Sequence, residues 1–284
     1  MSIQLVTFGG LHLFDGAGEL EQLLSQRSRA ALFIYLTIEG RVSREALLAT
    51  FWPESDAEGA RHALRQSLYH LRKVVGPKQW IVSRVHELVA CGAIGADATA
   101  FGEAMERGDT ERAVRLYRGP FLDGVHLVDL QNWERWVDSR RASYARLFRK
   151  ACRDVLDARL AARDFAGGIA VAERWTAQDL TDDEAQHRLI AALVAAGERT
   201  EAIRQYETYA RLLVREGLEP LEETRDLVNH LRRARGAGLL HHPLSSGQSS
   251  VRSGASRPAS RVPRPSGSNA SRRPRSPAPS SQAH

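Results

Sequence analysis

The chain has 284 residues, of which 43% are hydrophobic and 26% are charged, so it is long enough for two globular domains of ordinary composition. Its formal net charge of +6 comes from its C-terminal end. Residues 236–284 carry seven arginines and no acid, and the remainder has 33 basic and 34 acidic residues, a net charge of −1. The overall basicity is therefore no argument for nucleic-acid binding, and only a local cluster of charge can be one.

The N-terminal residues, MSIQLVTFGG, contain neither a basic stretch nor a long apolar run, so they do not resemble a signal peptide. No segment approaches the roughly 18 apolar residues of a membrane helix. The two cysteines, Cys91 and Cys152, lie in different predicted elements and show no metal-ligand spacing, which predicts buried, reduced thiols. We therefore expect a soluble cytoplasmic protein that does not contact a membrane.

Residues 1–97 are predicted to form a mixed domain that begins with strands. Two short β-rich runs, IQLVTF and LHLF, are joined by Gly9-Gly10, a hairpin signal, and GELEQLL is a weaker third strand. Three helices follow: RSRAALFIYLTIE, then REALLATFW with Ser43 as its cap, then SDAEGARHALRQSLYHLRKVVG. The runs QWIVSRV and ELVACG predict a final pair of strands with a turn near His86.

Residues 98–235 are predicted to be helical, because successive segments place apolar residues at i, i+3 and i+4. An offset of 34 residues aligns Ile169 with Ile203 and also aligns the Ala-rich segments that precede them. A third, shorter copy starts at Gly108. A helix-turn-helix unit of 34 residues is typical of tetratricopeptide-like stacking, and an amphipathic helical bundle without a repeat is the alternative.

Residues 236–284 are rich in Ser, Pro, Gly, Ala and Arg and contain few large apolar side chains. Such a segment cannot bury enough surface to offset the entropy lost on ordering, so we expect a disordered tail. Two roles are open for its arginines: they hold phosphates loosely and without sequence preference, or they only keep the tail soluble.

The helix over residues 55–76 separates its apolar from its basic side chains. Ser55 and Glu58 predict a capping box at its start. On a helical wheel, the apolar residues form one stripe: Ala60, Leu64, Leu68, Leu71 and Val75. Polar side chains cover the other side: His62, Arg65, Gln66, Tyr69 and Lys73 lie opposite the stripe, and Arg61 and Arg72 lie at its margins. Residues 59–86 contain six basic residues and no acid, whereas a solvated helix face usually mixes both signs.

This polar face suits the major groove of DNA, which is wide enough for one helix. Arginine and lysine donate hydrogen bonds to guanine, glutamine bonds to adenine through two atoms, and flanking arginines hold phosphates. The preceding helix and the turn PESDAE complete a helix-turn-helix, and the strand pair after it forms a wing. Arg84 in that wing is placed to meet the DNA backbone or the minor groove. An ordinary solvated helix face is the alternative.

The segment SREALLATFWPESDAEGARHALRQSLYHLRKVVG resembles the recognition segment of the SARP family of bacterial transcriptional activators. Further along, six residues resemble the start of that family's bacterial transcriptional activator domain: Tyr117, Gly119, Pro120, Leu122, Trp136 and Arg141. The resemblance extends over about residues 1–235. It implies a mainly α fold with a small β component, in which a response-regulator-type winged helix precedes tetratricopeptide-like helices.

The same resemblance implies an activator that binds direct repeats of double-stranded DNA near a promoter, self-associates there and contacts RNA polymerase. Matched by motif, the implied DNA contacts are Arg61, Arg65, Gln66, Arg72 and Lys73. The sequence departs from the family pattern at Ala63, Tyr69 and His70, so the resemblance implies no particular target sequence.

No enzyme is predicted. The sequence has no G-x-x-x-x-G-K-[ST], H-E-x-x-H or G-x-S-x-G motif, and we expect neither a cofactor nor a bound metal. The alternative to a DNA-binding activator is a signalling adaptor. In that alternative the helical repeats bind a protein partner, and the winged-helix-like region is itself a protein-binding module.

Overall fold

A computed structural model describes residues 3–15, 18–75, 80–92, 94–126 and 130–238. Strands and helices alternate in its N-terminal third, which contains β1 (Ile3–Val6), β2 (His12–Asp15), β3 (Gly18–Glu19), α1 (Glu21–Leu24), α2 (Arg27–Glu39), β4 (Arg41–Ser43), α3 (Arg44–Phe51), α4 (Ala57–Val75), β5 (Ile81–Ser83), β6 (Glu87–Ala90) and β7 (Ile94–Ala96). The remaining named elements are the helices α5 (Asp97–Glu106), α6 (Thr110–Leu116), α7 (Gln131–Ala161), α8 (Phe165–Thr176), α9 (Asp183–Ala195), α10 (Arg199–Arg215) and α11 (Glu222–Gly238).

The strands form two small sheets, with the orders β3-β2-β1-β7 and β4-β6-β5. The predicted first hairpin is confirmed, since β1 and β2 are antiparallel with Val6 opposite His12. The predicted pair after α4 is confirmed as β5 and β6. GELEQLL forms a strand only at its start, in β3, and its last four residues form α1. β4 and β7 have no counterpart in the prediction, because three residues are too few to show an alternation of hydrophobicity.

The helices predicted from apolar spacing are all present, and their spacing repeats. Helix α10 starts at Arg199, which is 34 residues after the first residue of α8, Phe165. Helices α7, α8, α9 and α10 pack in succession, and Leu156, Ile190 and Ala202 share one buried cluster. This arrangement is the tetratricopeptide-like stacking of helical hairpins that the 34-residue offset predicts.

A single hydrophobic core crosses residue 97, where the sequence predicts a domain boundary. The ring of Phe8, just after β1, lies 5.4 Å from that of Phe101 in α5 and 5.3 Å from that of Tyr144 in α7. The carboxylate of Asp97 accepts hydrogen bonds from the backbone N–H groups of Thr7 and Phe8. The N-terminal sheet and the helical half therefore belong to one compact unit.

Helix α11 extends to Gly238 and so enters the segment predicted to be disordered. Residues 239–284, which make up the rest of that predicted tail, lie outside the described residues. No helix within the described ranges is both long and apolar enough to cross a membrane.

Candidate nucleic-acid interface

Helix α4 begins at an aspartate cap. The Asp56 carboxylate accepts a hydrogen bond from the backbone N–H of Gly59 at 2.9 Å. The capping box predicted from Ser55 and Glu58 is therefore wrong by one residue. A carboxylate at this position also interacts favourably with the partial positive charge of the helix N-terminus. The predicted stop of the helix after Val75 lies outside the described residues.

The two sides of α4 differ as the helical wheel predicts. Four residues of the apolar stripe are buried, namely Ala60, Leu64, Leu68 and Leu71, and Val75 is half-buried. The predicted polar residues on α4 are all exposed: Arg61, His62, Arg65, Gln66, Tyr69, Arg72 and Lys73. Tyr69 is 67% exposed, which is high for a large aromatic side chain in a folded protein. The face therefore presents positive charge and hydrogen-bonding groups to the solvent.

Helix α3 packs against α4 and also against α7 of the helical half. Its N-cap is Ser43, as predicted, and the Ser43 hydroxyl accepts a hydrogen bond from the N–H of Ala46 at 3.1 Å. The side-chain amide of Asn132, in α7, donates to the carbonyl oxygen of Ala49 at 2.7 Å. The helix-turn-helix is thus connected to α7 by a direct hydrogen bond.

The sheet β4-β6-β5 forms the wing beside α4. The N–H of Arg84 donates to the carbonyl oxygen of Glu87 at 2.9 Å and closes the wing turn, where Val85 is 81% exposed. The guanidinium of Arg72 donates to the Ser83 hydroxyl at 3.2 Å and so links α4 to β5. Arg84 lies at the wing turn as expected, but its guanidinium pairs with the Glu87 carboxylate at 3.0 Å. Its charge is therefore partly neutralised, whereas Arg61 and Arg65 have no ion-pair partner among the residues that the structure describes.

The structure adds Arg44 to the basic residues found by sequence. The Arg44 side chain donates to the carbonyl oxygen of Arg84 at 3.3 Å, and its backbone N–H donates to that of His86 at 2.9 Å. Arg44, Arg61 and Arg65 line one cavity of about 550 Å³ between α3, α4 and the wing. The sequence offers only a weak signal for Arg44, because its approach to α4 depends on the pairing of β4 with β6.

Residues 117–122, which resemble the activator-domain motif in sequence, form packing contacts with α7. The Tyr117 ring stacks on that of Phe148 at 4.3 Å. The Arg141 guanidinium donates to the carbonyl oxygens of Phe121 and Leu122, at 2.7 and 2.6 Å. Leu122 has a φ of 50°, which is uncommon for a residue with a side chain. These residues fix the shape of the segment that leads into α7.

Within the described ranges, no cluster of three or more His, Cys, Asp or Glu side chains could hold a metal ion. Cys152 is buried, as predicted, whereas Cys91 is exposed, so the expectation of two buried thiols is wrong for Cys91. Cys91 comes directly after the last residue of β6, where the chain leaves the sheet.

The sequence profile of the bacterial transcriptional activator domain matches residues 82–232. No curated protein matches the chain. Among solved structures, the chain is similar to Mycobacterium tuberculosis EmbR, determined in complex with a low-affinity phosphopeptide. The TM-score is 0.55 and the sequence identity 20%, over 82% of this chain and 65% of the EmbR chain. The chain therefore spans less than two thirds of the length of EmbR, and the likeness shows a shared fold.

Proposed function

Since the chain belongs to the SARP-type family of bacterial transcriptional activators, whose domain matches residues 82–232, we propose that α4 reads base edges in the major groove of promoter DNA. The observation that carries this proposal is the exposed face of α4, where five polar residues lie opposite a buried apolar stripe and two arginines lie at its margins. At a rise of about 1.5 Å per residue, α4 is about 28 Å long, enough to follow the groove across several base pairs.

The positions of the side chains on α4 suggest separate roles. Arg65, Gln66 and Lys73 point away from the core and supply the donors and acceptors that read guanine and adenine. His62 and Tyr69 lie on the same exposed face and contact neighbouring bases or sugars.

The basic residues at the margins of α4 have a different role. Arg61 and Arg72 hold phosphates on either side of the groove, and Arg84 approaches the backbone or the minor groove from the wing. Arg44 adds a phosphate contact beside Arg61, since both line the cavity between α3 and α4.

The helical half contacts RNA polymerase and neighbouring protomers on direct repeats. An exposed apolar surface on adjacent turns supports this role: Leu180 is 57% exposed and Leu221 52% exposed. The N–H of Leu221 donates to the Asp183 carboxylate at 3.4 Å, which keeps the two turns together. Large apolar side chains exposed on linked turns are typical of protein-binding surfaces.

Fluorescence anisotropy tests the proposal for α4 directly. The full chain is titrated with a duplex from the region upstream of its own gene and with a scrambled duplex of equal composition, at matched salt. We expect at least about a thousandfold preference for the specific duplex. Equal affinity for both duplexes would contradict base reading by α4. If neither duplex changed its anisotropy at low salt, and a pull-down with the full chain recovered a protein other than polymerase, the signalling adaptor would be favoured.

A promoter-reporter assay tests the polymerase contact separately. Replacing both Leu180 and Leu221 by Ser should reduce activation while the DNA affinity stays within about twofold of the parent. Unchanged activation by a variant that still binds the promoter would show that polymerase contacts another surface.

A further inference from the structure

A cavity of about 290 Å³ lies in the helical half, between α7, the segment before it and the turn that joins α8 to α9. All the residues that line it belong to the described ranges. Five of them form an apolar wall: Pro120, Ala142, Ala145, Phe148 and Trp175. The cavity shares no residue with the polar face of α4 or with the wing, so it is a site apart from the proposed DNA interface.

Tyr117 brings an unpartnered hydroxyl to this cavity. The residue is 4% exposed, and its ring stacks on that of Phe148 at 4.3 Å. Among the described residues the hydroxyl has no hydrogen-bond partner, yet its oxygen is not sealed from solvent, so it faces the open space of the cavity. Burial raises the pKa of the Tyr117 phenol, and the positive charge of nearby Arg149 only partly offsets this effect. The hydroxyl therefore stays protonated at neutral pH and is available to donate.

A guanidinium and a carboxylate face each other in the same cavity at more than hydrogen-bond length. Arg149 Nη1 lies 4.0 Å from Asp182 Oδ2, and this is the one ion pair of Arg149 within the described part of the chain. An N–H···O hydrogen bond spans at most about 3.2 Å. The other oxygen of Asp182 caps α9, since it accepts from the N–H of Ala185 at 3.2 Å, and this bond keeps the carboxylate in place.

Asp179 adds a second carboxylate to the rim of the cavity. A hydrogen bond from the Thr181 hydroxyl, at 2.7 Å, holds the pKa of the Asp179 carboxyl below its ordinary value, so the group is ionised at neutral pH. The rim consequently carries negative charge on the side of the α8–α9 turn and positive charge on the side of α7.

We propose that this cavity binds a free α-amino acid with an apolar, ring-sized side chain. The carboxylate of the amino acid accepts hydrogen bonds from Arg149 and from the Tyr117 hydroxyl, and its ammonium group donates to Asp182 and Asp179. Charged groups attached to one carbon atom suit a cation and an anion that lie 4.0 Å apart. An engineered apolar cavity of about 150 Å³ in another protein holds benzene, so about 290 Å³ has room for such a ring and the charged head group.

The charges of the cavity favour a zwitterion over a simple acid or amine. Arg141 also lines the cavity, but its guanidinium is occupied by the carbonyl oxygens of Phe121 and Leu122. An acid without an amino group would bring its charge close to two aspartates with nothing to offset them. An amine without a carboxylate would leave Arg149 and the Tyr117 hydroxyl without an acceptor.

Calorimetry and ligand-observed NMR on the full chain test the proposal with L-phenylalanine as the probe. We expect a dissociation constant on the order of 1 mM, which is typical of a ligand of this size. Phenylpropanoate lacks the amino group and phenylethylamine lacks the carboxylate, so each should bind at least about tenfold more weakly. If either analogue bound as tightly as L-phenylalanine, or if L-phenylalanine did not bind at about 10 mM, the proposal would be overturned.

Two arginine variants locate the carboxylate of the probe. Arg149→Ala should weaken the binding of L-phenylalanine about tenfold. Arg146→Ala is the matched control, because Arg146 lies on the same helix and does not line the cavity. Both arginines are exposed, so both variants are expected to fold. Equal affinities of the two variants would place the probe elsewhere and overturn the proposed site.

Tyr117→Phe removes only the hydroxyl, since the ring and its stacking on Phe148 remain. The variant should bind L-phenylalanine about fivefold more weakly, because one hydrogen bond to the probe is lost. Its melting temperature in the absence of the probe should not fall, because the hydroxyl has no partner among the described residues. An unchanged affinity of the Tyr117→Phe variant, whatever its melting temperature, would contradict the proposed site.

Discussion

A Cβ atom added to Gly119 would lie 2.9 Å from the Cα of Gly9, so the segment before α7 passes directly over the first hairpin turn. The N–H of Gly9 donates to the carbonyl oxygen of Pro120 at 3.0 Å, and the N–H of Leu122 donates to that of Thr7 at 2.7 Å. The close approach of the two backbones therefore explains the glycine at position 119, and the proline at position 120 contributes its carbonyl oxygen as an acceptor. They join the N-terminal sheet to the helical half.

Gly119→Ala should lower the free energy of unfolding by about 1–3 kcal/mol, because the new methyl group meets the Gly9 backbone, which cannot rotate away. Gly102→Ala is the matched control. Gly102 lies within α5 with open space around its missing Cβ, so alanine there should stabilise the protein by about 0.5–1 kcal/mol. Urea denaturation of both variants gives the comparison, and equal free energies would refute the close approach.

Arg141→Lys should also destabilise the protein. The planar guanidinium bonds to two backbone carbonyls, those of Phe121 and Leu122, and a single ammonium group cannot hold both in the same geometry. One carbonyl loses its partner, at a cost of about 1–3 kcal/mol. Arg146→Lys on the same helix is exposed and should change stability by less than about 0.5 kcal/mol. Thermal unfolding of the two variants measures the difference, and equal melting temperatures would contradict it.

Sequence patterns predicted the helices well because the spacing of apolar residues that marks a helix lies within a short stretch of the chain. Each helix of residues 98–235 shows apolar residues at helical spacing, and the polar face of α4 is exposed as its wheel predicts. Strands β4 and β7 were not predicted, because each has only three residues and forms only by pairing with a strand far away in the sequence. β4 pairs with β6, and Leu5 of β1 pairs with Ala96 of β7.

The candidate interface was predictable only in part. Its central residues lie on one helix, α4, so a helical-wheel projection of the sequence places them on one face. Arg44 joins them only through the pairing of β4 with the wing, and the pairing of Arg84 with Glu87 depends on the geometry of a turn. Asp56 replaced Ser55 as the cap of α4, because both are good caps and the sequence alone does not decide between adjacent candidates.

The two cysteines should differ sharply in reactivity. Burial raises the pKa of the Cys152 thiol to about 12, so it stays protonated and inaccessible, whereas Cys91 is exposed. Treatment with N-ethylmaleimide near pH 8 should give one adduct on the native chain and two in denaturant, as measured by intact-mass spectrometry. Cys91→Ser should abolish the native adduct. Rapid formation of two adducts on the native chain would show that Cys152 is accessible.

Acid should weaken the contact between α7 and α9. Hydrogen bonds from Arg153, at 2.8 and 2.9 Å, lower the pKa of the Glu184 carboxyl below its ordinary value of 4.5. A carboxyl whose pKa is lowered in the folded state adds stability above its unfolded pKa, and this contribution disappears as the pH falls through the folded value. Stability should therefore drop below about pH 4.5, and Glu184→Gln should make that drop shallower.

Unfolding by urea at a series of pH values between about 6 and 3 measures this effect. Glu106→Gln is the control, since Glu106 is exposed at the end of α5 and has no ion pair within the described part of the chain. If the stability of the Glu184→Gln variant fell as steeply with acid as that of the Glu106→Gln variant, the pair of Glu184 with Arg153 would not be the cause of the acid dependence.

Arg61 and Arg65 should contribute differently to DNA binding, because they occupy different positions around α4. Arg65 lies opposite the buried stripe, so Arg65→Ala should cost about 1–3 kcal/mol on the specific duplex and relax the preference over a scrambled one. Arg61 lies at the margin, so Arg61→Ala should weaken binding to both duplexes alike and lower the salt slope by about one unit, as the loss of one phosphate contact predicts.

Arg107→Ala provides the matched control for both variants. Arg107 is an exposed arginine at the end of α5, away from α4, and it pairs with Glu103 at 3.1 Å. It should leave both the affinity and the salt slope unchanged, since a paired charge outside the interface releases no counterions on binding. Anisotropy titrations at several salt concentrations distinguish the three variants. If Arg65→Ala changed the salt slope but left the preference for the specific duplex intact, Arg65 would hold a phosphate, and the bases would be read by other residues of α4.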